Sequence, residues 1–213
     1  TMKTLGYVAQ EGESEKYSLT LKLFELGARA LQNVDLIRSA DIQMREISRL
    51  TKETIHLGAL DEDSIVYIHK IDSMYNLRMY SRIGRRNPLY STAIGKVLLA
   101  WLDEREVREI LAPVTFDRKT VHTLADVDAL LRELADVREH GFSEDREEQE
   151  EGLRCVGVPV YDRFGHVIAG LSISFPTIRF DDNQLTHYVA ILHQAAANIS
   201  QQLGLARYPF PSV

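Results

Sequence analysis

Two apolar runs, GLRCVGVPVY (152–161) and HVIAGLSISF (166–175), are separated only by DRFG, and this feature constrains the chain more than any other. Runs this long, rich in Val, Ile and Leu and joined by a turn this short, can only pair antiparallel. With Gly165 taking the left-handed turn position, Tyr161 is expected opposite His166, Cys155 opposite Ser172 and Leu153 opposite Ser174. Side chains alternate across a strand. One face then carries Cys155, Gly157, Gly170, Ser172 and Ser174, and the other carries Val156, Val158, Val160, Leu171, Ile173 and Phe175. The second face is core. The first is small and polar in strands too apolar to lie at an edge. It suits either a pocket for a small molecule or a helix landing close on the sheet.

The rest of the chain supplies partners for this hairpin. The spacing of Ile37, Ala40, Met44, Ile47 and Thr51 predicts a helix over 35–51. Strands are expected at 53–60, 64–71 and 77–83, with helices at 91–102, 104–111 and 126–139. A short strand at FSED (142–145) precedes the acidic loop REEQEEG. A last helix is expected from Asp181 to Leu203, with Asp181 and Gln184 as a capping box and Leu185, Tyr188, Val189, Leu192, Ala196 and Ile199 as its buried stripe. The fold class expected is α+β: one antiparallel sheet of about six strands with helices packed on it. Residues 2–8 read as the end of a helix and a short strand, 17–19 as its partner strand, and 20–32 as a connecting helix.

Composition narrows the function. The 213 residues carry a net charge of −6, against a surface devoted mainly to nucleic acid. Cys155 is the single cysteine, so intrachain disulfides and multi-cysteine metal sites are excluded, and a lone thiol suits the cytoplasm. Histidines at 56, 69, 122, 140, 166, 187 and 193 form no metal-binding spacing, and no metal or cofactor is expected. No apolar run approaches a membrane span, and TMKTLGYVAQ has no secretory-signal pattern.

Two further places could carry chemistry. Ser91 and Thr92 are good helix caps, and the N–H groups of Ala93 and Ile94 open a helix that could receive an anion. STAIGK lacks the first glycine and the Lys-Ser/Thr pair of a phosphate loop. Asp145, Cys155 and a histidine could form a thiol nucleophile with its base, so a cysteine-dependent enzyme acting on a small keto acid is the alternative reading. Against it, Cys155 sits in mid-strand, away from any helix N-terminus that would lower its pKa.

The stretch Gly141, Asp145, Glu148, Cys155, Val156, Gly157, Val160, Tyr161, Asp162 resembles the signature of the IclR family of bacterial transcription regulators, with no departure in spacing. STAIGKVLLA, EEQEEGLRC and VIAGLSISFPT also resemble segments of that family, particularly its sugar-acid-sensing members. The resemblance implies a GAF-like effector-binding domain over 34–208, a linker helix over 20–33 and the remnant of a winged helix-turn-helix over 1–19, whose first helices are expected in a longer protein. It implies a repressor rather than an enzyme, with effector contacts at Asp145, Cys155, Ser172 and Ser174, backbone contacts at Ala93 and Ile94, and an apolar wall at Met79. The effector it implies is a small keto acid such as 2-keto-3-deoxygluconate. DNA is the expected partner of the full-length protein, as a homodimer or homotetramer.

Overall fold

The computed structural model describes residues 2–10, 12, 16–23, 25 and 35–210. The chain divides into two compact units, 1–37 and 38–213. In the first, β1 (Val8–Gln10) pairs antiparallel with β2 (Tyr17–Leu19), Ala9 facing Ser18. Residues 2–6 form turns rather than a helix end. Of the helix expected over 20–33, residues 21–23 and 25 are helical, and 24 and 26–33 lie outside the described residues.

The second unit is the α+β domain the sequence predicts. Helix α1 (Asp35–Thr51) enters it, followed by β3 (Thr54–Asp61), β4 (Ser64–Ile71), β5 (Arg86–Pro88), α2 (Ala93–Ala100), α3 (Glu104–Leu111), α4 (Val127–His140), β6 (Ser143–Arg146), β7 (Leu153–Tyr161), β8 (Val167–Pro176) and α5 (Leu185–Gln202). Among the described residues, the sheet has six strands in the order β5-β4-β3-β8-β7-β6, every pair antiparallel. Ile55, Leu57, Val156, Val158, Leu171 and Ile173 are all fully buried. They are the inward set of β3, β7 and β8 on one parity, as expected. Helix α5 packs on β7 and β8 and is bridged to α1 by Asn198 Nδ2 donating to Gln43 Oε1 at 2.9 Å. Helix α2 is buried along its whole length, between the sheet and α4.

Three expectations need correction. First, the hairpin register is shifted: Cys155 pairs with Ser174, Gly157 with Ser172 and Leu153 with Pro176. The turn places Tyr161 opposite Val167 rather than His166, and a bulge between Val160 and Tyr161 adds a second residue. A one-residue slip would turn every side chain to the other face. Two slips restore the parity, so the two faces are those expected although the register is not.

Second, 77–83 is not a strand. The edge of the sheet is β5, and Gly84 (φ +80°) turns the chain before it. The Tyr67 backbone is bonded to Gly84 and Arg85, so the outer edge of β4 is occupied there. Residues 77–83 instead put Met79 and Ser81 inward and leave Arg78, Tyr80 and Arg82 exposed. Third, Asp181 and Gln184 form no capping box. Asp181 accepts from the Asn183 N–H at the start of a 3-10 turn (Asp182–Gln184), and α5 begins only at Leu185.

Candidate functional site

The small polar face of the sheet has two parts. At Gly170 an added Cβ would lie 2.9 Å from Ile94 Cγ2, at Gly58 it would lie 3.0 Å from the same atom, and at Gly157 it would lie 3.3 Å from Ala93. These glycines let the first turn of α2 rest on the strands. Beside that contact, Cys155, Ser172 and Ser174 face a cavity. Met79, Ala93, Ile94, Asp145, Thr92, Gln149 and Tyr67 complete its lining. All seven residues singled out in the sequence therefore meet in one place. Free space inside it is about 10 Å³, close to what one water molecule requires.

Local structure explains how each group arrives. Thr92 caps α2, its Oγ1 accepting from the Gly95 N–H at 3.2 Å and donating to the Pro88 carbonyl at 2.7 Å. Ala93 and Ile94 sit in the first turn, where backbone donors have no acceptor inside the helix. Gly141, at φ +79°, ends α4 and turns the chain into β6, and the Phe210 ring beside it leaves no room for a Cβ. Asp145 pairs with Cys155 across β6 and β7. Its Oδ1 accepts from the N–H groups of Glu148 (2.8 Å) and Gln149 (3.3 Å), folding the acidic loop back over the cavity. Ser91 Oγ then donates to Gln149 Oε1 at 2.6 Å.

Burial and then the Glu148 charge push the Asp145 carboxyl up to about 7, against the pull of the two N–H groups and Lys96. The upward shift favours the protonated carboxyl, which lowers its repulsion of an anion. Lys96 is fully buried, with its Nζ 2.6 Å from Glu148 Oε1 and 2.5 Å from Glu133 Oε1. Burial would lower its pKa, but the two carboxylates outweigh that and hold it charged. The lysine of STAIGK and the signature glutamate are therefore a structural ion pair beneath the cavity wall.

Burial and the neighbouring Asp145 push the Cys155 thiol well above its ordinary value. Its Sγ donates to Ser174 Oγ at 3.2 Å. A neutral thiol of this kind is a weak donor and a soft wall, not a nucleophile. Among the described residues, no group of three His, Cys, Asp or Glu is placed to hold a metal. A larger cleft, about 780 Å³, lies between α4 and β6, but charged groups line it, including Arg132, Asp136, Glu144 and Arg146.

Sequence reading missed Tyr67, Thr92 and Gln149 as lining residues, and His56 behind them. Thr92 carries only the signal of a cap in the sequence, and Gln149 sits in a loop that reads as solvated. His56 is a lone histidine on a strand, a pattern with no signal of its own. In the structure its ring stacks on Tyr67 with centroids 4.4 Å apart and approaches Ser174.

Residues 28–201 match the family described as bacterial transcriptional regulator IclR, C-terminal. The chain is 78% identical over 210 residues to the HTH-type transcriptional regulator KdgR of Escherichia coli strain K12, covering 99% of this chain and 80% of that protein. The crystal structure of the C-terminal domain of E. coli KdgR superposes with a TM-score of 0.75 at 69% identity, over 80% of this chain and 99% of that one. The Thermotoga maritima IclR crystal structure superposes with a TM-score of 0.80 at 35% identity, over 95% of this chain and 82% of that one. The KdgR relatives are named as transcriptional regulators rather than enzymes, in keeping with a neutral, buried thiol at the cavity. The chain belongs to the IclR family of bacterial transcriptional regulators, and its six-stranded domain is the family's C-terminal domain.

Proposed function

We propose that this domain senses a small keto acid, 2-keto-3-deoxygluconate or a close analogue, in a repressor of sugar-acid catabolism genes. The observation that carries the reading is the convergence of two serines, a buried carboxyl and the first turn of a buried helix on one cavity. The ligand carboxylate docks on the N–H groups of Ala93 and Ile94, where the helix terminus favours negative charge. Ser172 and Ser174 meet the carboxylate or keto oxygens. Asp145 takes the ligand hydroxyls, Cys155 forms a soft wall and Met79 an apolar one.

The cavity is too small for such a ligand as it stands, so binding must move its lining. Met79, on the irregular segment 77–83, and Gln149, on the acidic loop, are the sides not built from sheet or helix. A ligand that favours one of two DNA-affinity states shifts repression by its differential affinity. DNA binding belongs to the full-length protein, through a winged helix-turn-helix of which residues 1–19 would be the tail and β1–β2 the wing. Residues 20–33 would be the linker and 34–208 the sensing domain. A cytoplasmic homodimer or homotetramer completes the reading.

Calorimetric titration with a panel of keto acids and neutral sugars tests it. Saturable binding of 2-keto-3-deoxygluconate, with weaker binding of shorter keto acids, is expected. Binding of a neutral sugar with none of any acid would remove the proposal.

A further inference from the structure

His56 is fully buried on β3, on the cavity side of the sheet and directly across from Ser172. Its two ring nitrogens face two hydroxyls. Nδ1 lies 3.3 Å from Ser174 Oγ, and Nε2 lies 2.6 Å from Ser81 Oγ. Ser81 belongs to the segment that carries Met79, and its carbonyl accepts from Lys70 Nζ at 2.8 Å. Burial, then the Lys70 ammonium, push the imidazole down to about 3, so the ring is neutral and has one donor and one acceptor nitrogen.

The distances choose between the two tautomers. A contact of 2.6 Å is below the usual range of an N–H donor and within that of a hydroxyl, whereas 3.3 Å is just past the usual range of an N–H donor and further past that of a hydroxyl. Ser81 therefore donates to Nε2, and Nδ1–H points at Ser174. Ser174 Oγ already accepts from the Cys155 thiol. A hydroxyl has two acceptor sites and one proton. With Cys155 and His56 both donating to it, the Ser174 oxygen is saturated as an acceptor and only its own proton is left for the cavity.

We propose that His56, held as the Nδ1–H tautomer by Ser81, is a positioning residue that makes Ser174 a pure hydrogen-bond donor. It thereby dictates that the ligand atom opposite Ser174 is an acceptor, a carboxylate or keto oxygen rather than a hydroxyl that must donate. This rests on the keto-acid reading and deepens it: the oxidised end of the ligand lies against Ser174, and its hydroxyls lie toward Asp145. It also ties the cavity to the segment above it, because loss of the Ser81 bond frees the ring to adopt the other tautomer.

Asparagine can place an amide nitrogen where Nδ1 stands, and glutamine one where Nε2 stands. Imidazole 15N shifts of the free full chain are expected to show protonated Nδ1 and unprotonated Nε2, a result that needs no ligand. With 2-keto-3-deoxygluconate as the calorimetric probe, His56→Asn should bind within about threefold of wild type. His56→Gln, which leaves Ser174 without its partner, should bind about tenfold or more weakly. Ser81→Ala leaves the ring in place and serves if the histidine variants unfold; it should populate the Nε2–H tautomer and weaken binding several-fold. An Nε2–H tautomer in the wild type would overturn the inference. So would equal losses in folded His56→Asn and His56→Gln, or a Ser81→Ala variant unchanged in both tautomer and affinity. Failure of the wild type to bind any keto acid would sink the function proposed above and leave the tautomer measurement to decide this one.

Discussion

Along β8, residues two apart on the same face have opposite fates. Gly170 is pressed against Ile94, and a methyl group there has no room; Ser172 and Ser174 face a cavity. Turning the strand over gives a second contrast, since Leu171, Ile173 and Phe175 lie in the core beneath α5. One ten-residue strand thus serves core packing, a helix landing and a ligand cavity. The side-chain types assign the jobs: branched and large below, absent where the helix touches, small and hydroxylated where something else must be held.

The comparison breaks most visibly at Ile173. Ile173→Ala removes three carbons from a fully buried site and should cost about 2–5 kcal/mol, read as a lower midpoint in urea unfolding. Retained stability would mean that the two faces are assigned backwards.

Asp145→Asn should act with the opposite sign and depend on pH. The folded-state carboxyl titrates at about 7, against an ordinary value of 3.8. Between these values the folded protein holds a proton that the unfolded chain has lost. The stability from this group is therefore fully present below about pH 4 and is lost as pH rises through 7. Asparagine keeps an oxygen for the Glu148 and Gln149 N–H groups and removes the titration. Unfolding curves at pH 5 and pH 8 should show the variant gaining on wild type, by at most about 1.4 kcal/mol per pH unit. An identical pH dependence in both proteins would show that Asp145 is not the shifted group.

Gly170→Ala sharpens the boundary within the polar face. The added methyl must push Ile94, at a cost of about 1–3 kcal/mol, and should disturb α2 where it opens onto the cavity. Amide shifts of Ala93 and Ile94 would report the movement. Their constancy at unchanged stability would place the helix landing elsewhere.

Much of this arrangement was legible in the residues. Alternation gave both faces of the hairpin, the signature spacing gave Asp145 and Cys155, and cap chemistry gave the start of α2. What escaped depended on partners distant in sequence. The bulge at Val160 has no local cause in the sequence, and only cancellation with a one-residue error at the turn kept the faces right. Residues 77–83 alternate like a strand, but Gly84 turns the chain and Tyr67 is already bonded, so that alternation serves a covering segment. His56 gains its meaning from Ser81 and Ser174, 25 and 118 residues away. Gln149 gains its own from Ser91.

The smallest stability effect belongs to Ser172, which with Ser174 has the largest expected effect on binding. Ser172→Ala should leave the thermal midpoint within a few degrees of wild type, because its hydroxyl faces the cavity and not the core. Ser174→Ala also leaves the buried His56 N–H without its acceptor and should cost about 1–3 kcal/mol. Calorimetric titration of the double variant with 2-keto-3-deoxygluconate, beside wild type, is the most direct test of the cavity as the sensing site. Two lost hydrogen bonds predict affinity at least about fivefold weaker if both go to a keto oxygen, and about a hundredfold or more weaker if both go to the carboxylate. Wild-type affinity in the folded double variant would contradict the account.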